Sequence, residues 1–223
     1  MYYDPVNAWL QRNQTALQDD QLNLPCYSKS FQDPQTNVNR SQMYFRARSE
    51  GTFVFSYGII DFRARFPSAN SGATSVEFGL MNDQCTMIDC STTLTTSSVS
   101  FVNEPPHLDG GSCTLSYVDP QASDQMRAEV VVYKYANGSS TDFHHYSLVW
   151  SSKYVACLID RRVVANFTNQ LALPRGKHFI NTGVLCEYFS LDFAEPRGTS
   201  YLVSNLTYHK LPNRKRTLYC PLQ

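Results

Sequence analysis

The sequence predicts an all-β protein, an antiparallel sandwich wound as a jelly roll. Three observations carry that prediction. Short runs of β-branched and aromatic residues recur along the chain, each bounded by Gly, Pro, Asn or Asp turn signals. The clearest run alternates: Ile60, Phe62, Ala64 and Phe66 are interleaved with Asp61, Arg63 and Arg65, the pattern of a half-buried strand with one solvated face. No long amphipathic helix pattern is evident, and 223 residues suit one large sandwich with a sizeable core.

Taken in order, residues 1–25 read as a peripheral N-terminal arm and 26–223 as the sandwich domain with a C-terminal tail. Within the arm, 6–12 suggests a short helix docked by Trp9 and Leu10, and Gln, Asn and Asp make 11–23 an exposed stretch. Strands are expected at 43–48 and 52–58, with the turn signal Glu50-Gly51 between them. The alternating strand follows, then a loop at 67–72 and a strand at 74–81. A Ser/Thr-rich run at 94–102 leads into a loop at 103–112, where two prolines and two glycines are expected to end any ladder. Beyond it come a strand at 127–135, a hairpin signal at Ala136-Asn137-Gly138-Ser139 and strands at 143–150 and 154–159. Asp160-Arg161-Arg162 reads as a hairpin turn. Strands at 179–185, 188–193 and 200–209 complete the set, with Leu202, Leu206 and Tyr208 giving the last its apolar weight.

Composition narrows the function. Lys plus Arg equals Asp plus Glu, so the formal charge is zero and no basic excess points to nucleic acid. No apolar run approaches the length of a membrane-spanning helix, and no signal peptide is visible in the polar stretch Met1-Tyr2-Tyr3-Asp4-Pro5, so the signal of a secreted form is expected to lie outside this sequence. Seven cysteines (Cys26, Cys85, Cys90, Cys113, Cys157, Cys186 and Cys220) occur without a C-x-x-C pair or zinc spacing. N-glycosylation sequons lie at Asn13, Asn39, Asn137, Asn166 and Asn205. Together they favour the secretory route and an extracellular or cell-surface location. The odd cysteine count leaves a free thiol or an intermolecular bridge through which the protein could assemble. The pairings stay open.

The stretch Cys85-Thr86-Met87-Ile88-Asp89-Cys90-Ser91-Thr92-Thr93 reads as a strand with Met87, Asp89 and Ser91 on one face. Upstream stand Tyr57-Gly58-Ile59-Ile60-Asp61-Phe62-Arg63-Ala64-Arg65-Phe66-Pro67 and the 71–81 run. Downstream stand Phe143-His144-His145-Tyr146-Ser147-Leu148-Val149-Trp150 and Leu158-Ile159-Asp160-Arg161-Arg162-Val163-Val164. In that order these segments resemble the family sixteen glycoside hydrolases, the laminarinases, lichenases and xyloglucan or fungal cell-wall transglycosylases, over about residues 50–210. The resemblance implies a concanavalin-like sandwich whose cleft binds a β-glucan.

The same resemblance implies what is missing. The family's nucleophilic Glu falls on Met87, its Asp is kept as Asp89, and its acid/base Glu falls on Ser91 or Thr92. Retaining hydrolysis needs two carboxyl groups about 5–5.5 Å apart. A thioether cannot attack the sugar and a hydroxyl is a poor acid, so the expectation is a non-catalytic, glycosidase-like module that binds a glycan or an extracellular protein. The alternative is an active hydrolase or transglycosylase that uses displaced carboxylates, Asp89 with Glu77. Glu77 sits on the preceding strand, which suits a cleft-wall carboxylate better than a displaced acid. The candidate cleft residues are therefore Asp89, Glu77, Met87, Ser91 and His144. His144 and His145 face opposite ways on a strand, so one ion is not easily shared between them. The family's calcium-linked Asp is replaced by Ser204. No metal or cofactor is expected. The basic run Asn213-Arg214-Lys215-Arg216 reads as a solvated tail clipped by Cys220.

Overall fold

Alternation of apolar and polar residues produces two facing sheets, and the computed structural model shows both. It describes residues 2–4, 8–10, 16–18, 21–24, 31–32, 39–40, 42–49, 53–67, 73–82, 97–103, 109–119, 125–187 and 201–211. Every regular element among them is a strand. In chain order they are Tyr2–Asp4 (β1), Ala8–Leu10 (β2), Ala16–Gln18 (β3), Gln21–Leu24 (β4), Phe31–Gln32 (β5) and Asn39–Arg40 (β6). Next come Gln42–Arg48 (β7), Val54–Phe55 (β8), Gly58–Arg65 (β9), Ala73–Asn82 (β10), Ser98–Asn103 (β11) and Gly110–Asp119 (β12). Gln125–Lys134 (β13), His144–Trp150 (β14), Val155–Ile159 (β15), Arg162–Phe167 (β16), His178–Glu187 (β17) and Tyr201–His209 (β18) follow.

The first sheet runs β1-β2-β7-β17-β10-β11-β12-β13, with β8 also on β17; the second runs β16-β15-β14-β9-β18-β4-β3. All pairings are antiparallel except the one between β2 and β7. The predicted all-β sandwich is therefore what forms.

Between the sheets lies an aromatic core. Ile60, Phe62, Ala64 and Phe66 are buried as their alternation requires. Phe62 of β9 stacks on Phe78 of β10, ring centroids 3.6 Å apart, and on Tyr146 of β14 at 5.2 Å. Phe101 of β11 meets Phe62 and Tyr146 edge-on. Trp150 is buried and donates its indole N–H to the Pro174 carbonyl at 3.1 Å. A disulfide joins Cys113 of β12 to Cys157 of β15 and so ties one sheet to the other.

Five expectations need correction. Ala8–Leu10 is a strand and not part of a helix; it lies between β1 and β7, with Trp9 opposite Met43, because its backbone finds partners at a sheet edge. Strands β1–β4 add to one edge of each sheet, and Leu24 is fully buried. The 52–58 run is not one strand. Val54–Phe55 pairs with β17 while β9 opens the other sheet, and Tyr57 turns the chain between them at φ 60°. Gly58 follows at φ 148°, where an added Cβ would lie 2.3 Å from the Tyr208 ring.

Gly110-Gly111-Ser112, expected in a loop, begins the ten-residue strand β12. A Cβ on Gly110 would stand 2.0 Å from the Tyr133 carbonyl oxygen, so these glycines allow β13 to approach and do not break the ladder. The signal at 136–139 does turn, with Gly138 at φ 76°, but it carries the chain from β13 in one sheet to β14 in the other instead of closing a hairpin. On β18 the core residues are Tyr201 and Val203. Leu202 alternates with them and is only half-buried, and a bulge between Ser204 and Thr207 shifts the register where Leu206 is 47% exposed.

Candidate functional site

The motif residues Met87, Asp89, Ser91 and Thr92 lie outside the described residues. So do Cys26, Cys85, Cys90, Cys220, Asn13, the loop at 68–72, the strand expected at 188–193 and the basic run at 213–216. What the structure places is the face of the first sheet that points away from the core.

Strand β10 assigns that face. Val76, Phe78 and Leu80 are buried in the core, so Ser75, Glu77, Gly79 and Met81 point outward. Glu77 is half-buried and stands in register with Gly183 of β17 and Val102 of β11. Outward residues on β11 and β12 are hydroxyl-rich. Ser98 faces Ser116, Ser100 faces Thr114, and Ser112 faces Val102. Gly79 makes room for this row: a Cβ there would sit 2.5 Å from the Ser100 Cβ. On the other flank Arg48 donates to the Asn181 side-chain oxygen at 3.2 Å and lies over the Phe179 ring at 5.4 Å. Hydroxyls, a carboxylate and a guanidinium thus share one sheet surface.

Next to the hydroxyl row is a cavity of about 490 Å³, lined by Val102, Gly110, Ser112, Val130, Val132 and Lys134 among others. The size is that of an ordinary ligand pocket. Its walls are valine, its floor includes the glycines that bring β12 and β13 together, and Lys134 pairs with Asp109 at 2.9 Å beside it. The sequence carried a signal for this surface that composition alone did not resolve. Ser98 and Ser100, then Ser112, Thr114 and Ser116, repeat at period two, which places each set on one face.

His144 is elsewhere. It belongs to the second sheet, is buried, and packs against Tyr135 with ring centroids 4.2 Å apart. Its Nδ1 lies 2.7 Å from an Asp160 carboxylate oxygen and its Nε2 2.9 Å from the Ser139 carbonyl oxygen. Burial pushes the neighbouring Tyr135 hydroxyl up to about 12, so it stays a phenol and hydrogen-bonds the Tyr146 hydroxyl at 2.8 Å. The structure therefore does not bring His144 together with Glu77. His145, on the opposite face as expected, is half-exposed.

Asp160 explains how a hairpin without glycine closes. Asp160 and Arg161 both have positive φ, 49° and 67°, the requirement of a two-residue type I′ turn, and Ile159 pairs with Arg162 across it. The Asp160 carboxylate accepts the His145 backbone N–H at 3.0 Å as well as the His144 contact. Burial pushes the carboxyl up, but the His145 N–H and the His144 ring outweigh it and hold it below its ordinary value. A carboxyl held low stabilises the fold above the ordinary carboxylate range and loses that contribution as pH falls through its folded value. Asp160→Asn should therefore cost about 1 kcal/mol at neutral pH, less than a buried charge-assisted bond because the carboxylate is 44% exposed. Urea unfolding at pH 7 and at pH 3 checks this: the gap between variant and parent should shrink at the lower pH, and an equal gap at both would remove the charge from the explanation.

Among the described residues no group of three or more His, Cys, Asp or Glu could hold a metal ion, and no helix is long and apolar enough to cross a membrane.

The family model for Glycosyl hydrolases family 16 matches residues 7–185. Among solved structures, the chain is similar to the laminarinase catalytic domain from Thermotoga maritima MSB8, with a TM-score of 0.71 at 15% identity, covering 92% of this chain and 83% of that one. LamAcat from Zobellia galactanivorans gives a TM-score of 0.67 at 15% identity over 94% and 86%. The Bacillus licheniformis β-glucanase gives 0.61 at 12% identity over 92% and 86%. At these identities the likeness is one of fold. No curated protein matches the chain.

Proposed function

This chain belongs to glycosyl hydrolases family 16, and from that membership we propose that it is a secreted, non-catalytic member whose outer sheet face binds a glycan or an extracellular protein. The family's glycosidase-like fold supports a glycan-related function. One observation carries the finer reading: where the family motif needs two glutamates, this sequence has Met87 and Ser91 or Thr92, with only Asp89 retained. Loss of both nucleophile and acid removes the two carboxyl groups on which retaining hydrolysis depends. The rows of Ser and Thr on β11 and β12 supply hydroxyls to meet a sugar's own hydroxyls, and Asp89, Glu77, Met87 and Ser91 are the residues we assign to the cleft.

Secretion is supported by the Cys113–Cys157 disulfide and by the exposure of Asn137, Asn166 and Asn205, three sequon asparagines open to modification. Asn166 and Asn205 lie on strands of the second sheet, so glycans there leave the outer face of the first sheet uncovered. The second reading, hydrolysis or transfer by Asp89 with Glu77, is favoured only by the outward position of Glu77.

The test measures binding and turnover together on β-1,3, β-1,4 and mixed-linkage glucans with purified glycosylated protein. Binding without turnover is expected, weakened by Glu77→Gln and Asp89→Asn. Turnover that vanishes in either variant would establish the second reading. Neither binding nor turnover would move the search to a protein partner.

A further inference from the structure

Strand β13 ends the first sheet, and among the described residues β12 is the only strand beside it. It is ten residues long, and its outward side chains Met126, Val130 and Val132 are 59%, 55% and 76% exposed. A long apolar edge of this kind is a template for another strand unless something covers it. The inward residues are different in kind. Val131 packs on the core and Tyr133 is buried, while Arg127 and Glu129 are charged. Both charged side chains have partners within the chain, Arg127 with Asp119 of β12 at 3.8 Å and Glu129 with the Asn169 amide at 2.9 Å.

We propose that this edge pairs with the same edge of a second copy of the chain, antiparallel, about a two-fold axis through Ala128. The register follows from side-chain chemistry. Keeping Met126 and Val130 on one shared face requires the axis to pass through a residue, since a slip by one flips every side chain. An axis at Glu129 sets that carboxylate against its own copy. An axis at Val130 sets Arg127 against Tyr133 and Glu129 against Val131. The axis at Ala128 sets Arg127 against Glu129 of the second copy twice over by symmetry, and sets Met126 against Val130 on the other face. The Met126–Val130 pair on one face and the Arg127–Glu129 pair on the other are then both self-complementary in one register. The joined strands extend the first sheet through both copies, with the valine-lined cavity of each beside the junction.

Sedimentation equilibrium on the full chain tests this, using the parent, Arg127→Glu, Glu129→Arg and the double swap, each first shown to keep the parent's urea midpoint. A reversible dimer is expected. Each single swap should weaken it on the order of tenfold by placing like charges opposite one another, and the double swap should restore it. Hydrogen exchange at β13 should slow as protein concentration rises. A monomer at every concentration, a dimer indifferent to the single swaps, or a double swap that restores nothing would overturn the proposal. So would a dimer that stays covalent on a non-reducing gel, which assigns assembly to a cysteine. Protection of β13 that does not depend on concentration would show that the chain covers its own edge, and would overturn it too.

Discussion

Replacing both Cys113 and Cys157 with Ala should lower the unfolding free energy by about 4 kcal/mol, the loop-closure value for a 44-residue separation. Two features place the effect at the large end. Both sulfurs are fully buried, so the bond is part of the core and not a surface clip. It also spans the sheets, from β12 to β15, where the native chain is otherwise joined only by side-chain packing and by connections such as 56–57 and 135–143. The urea midpoint should fall with little change in slope. A midpoint that stays within error of the parent would mean the unfolded chain is already restrained and the bond adds nothing to it. The same bond bears on compartment, because a buried disulfide persists in an oxidising environment.

How much of this could be read beforehand depends on what each residue's role depends upon. Strand β9 was legible because its side chains meet two environments, and Ile60, Phe62, Ala64 and Phe66 advertise the inner one. The hairpin at Asp160 was legible as a turn but not as a turn type. Its left-handed pair is supported by the Asp160 carboxylate reaching back to His145 and His144, a contact between positions 15 and 16 residues apart. Gly110 and Gly111 misled because a glycine marks space without saying whose. Here the space belongs to the Tyr133 carbonyl on a neighbouring strand. The sheet change at Ser56-Tyr57 was invisible for a related reason: a non-glycine residue at φ 60° is imposed by packing, not by its own preference. At the candidate site, Glu77 was placed on the strand that carries it, whereas His144 looked like a cleft residue and is an interior group of the other sheet. A lone polar residue in a strand names its face only when its neighbours on both sides are known to be core.

Phe62→Ala should be the most costly single substitution in the core, at about 3–5 kcal/mol. Phe62 is fully buried and touches both sheets, stacking on Phe78 and Tyr146 and meeting Phe101 edge-on. Its removal leaves a cavity that neither sheet can fill without moving, since the rings around it are themselves held by one another. The consequence reaches the outer face. Phe78 and Glu77 are adjacent on β10, so a strand that settles toward the cavity carries Glu77 and the facing Val102 with it. Phe62→Ala should therefore weaken any glycan binding as well as stability, and calorimetric binding with urea unfolding on that variant and the parent measures both. Equal binding by Phe62→Ala and the parent would show that the outer face is held by its own strand pairing and not by the core beneath it. Combining the substitutions is the sharper case: the two costs together reach the usual stability of a domain, about 5–15 kcal/mol. The triple variant should be largely unfolded at room temperature, because two links between its sheets are then gone together.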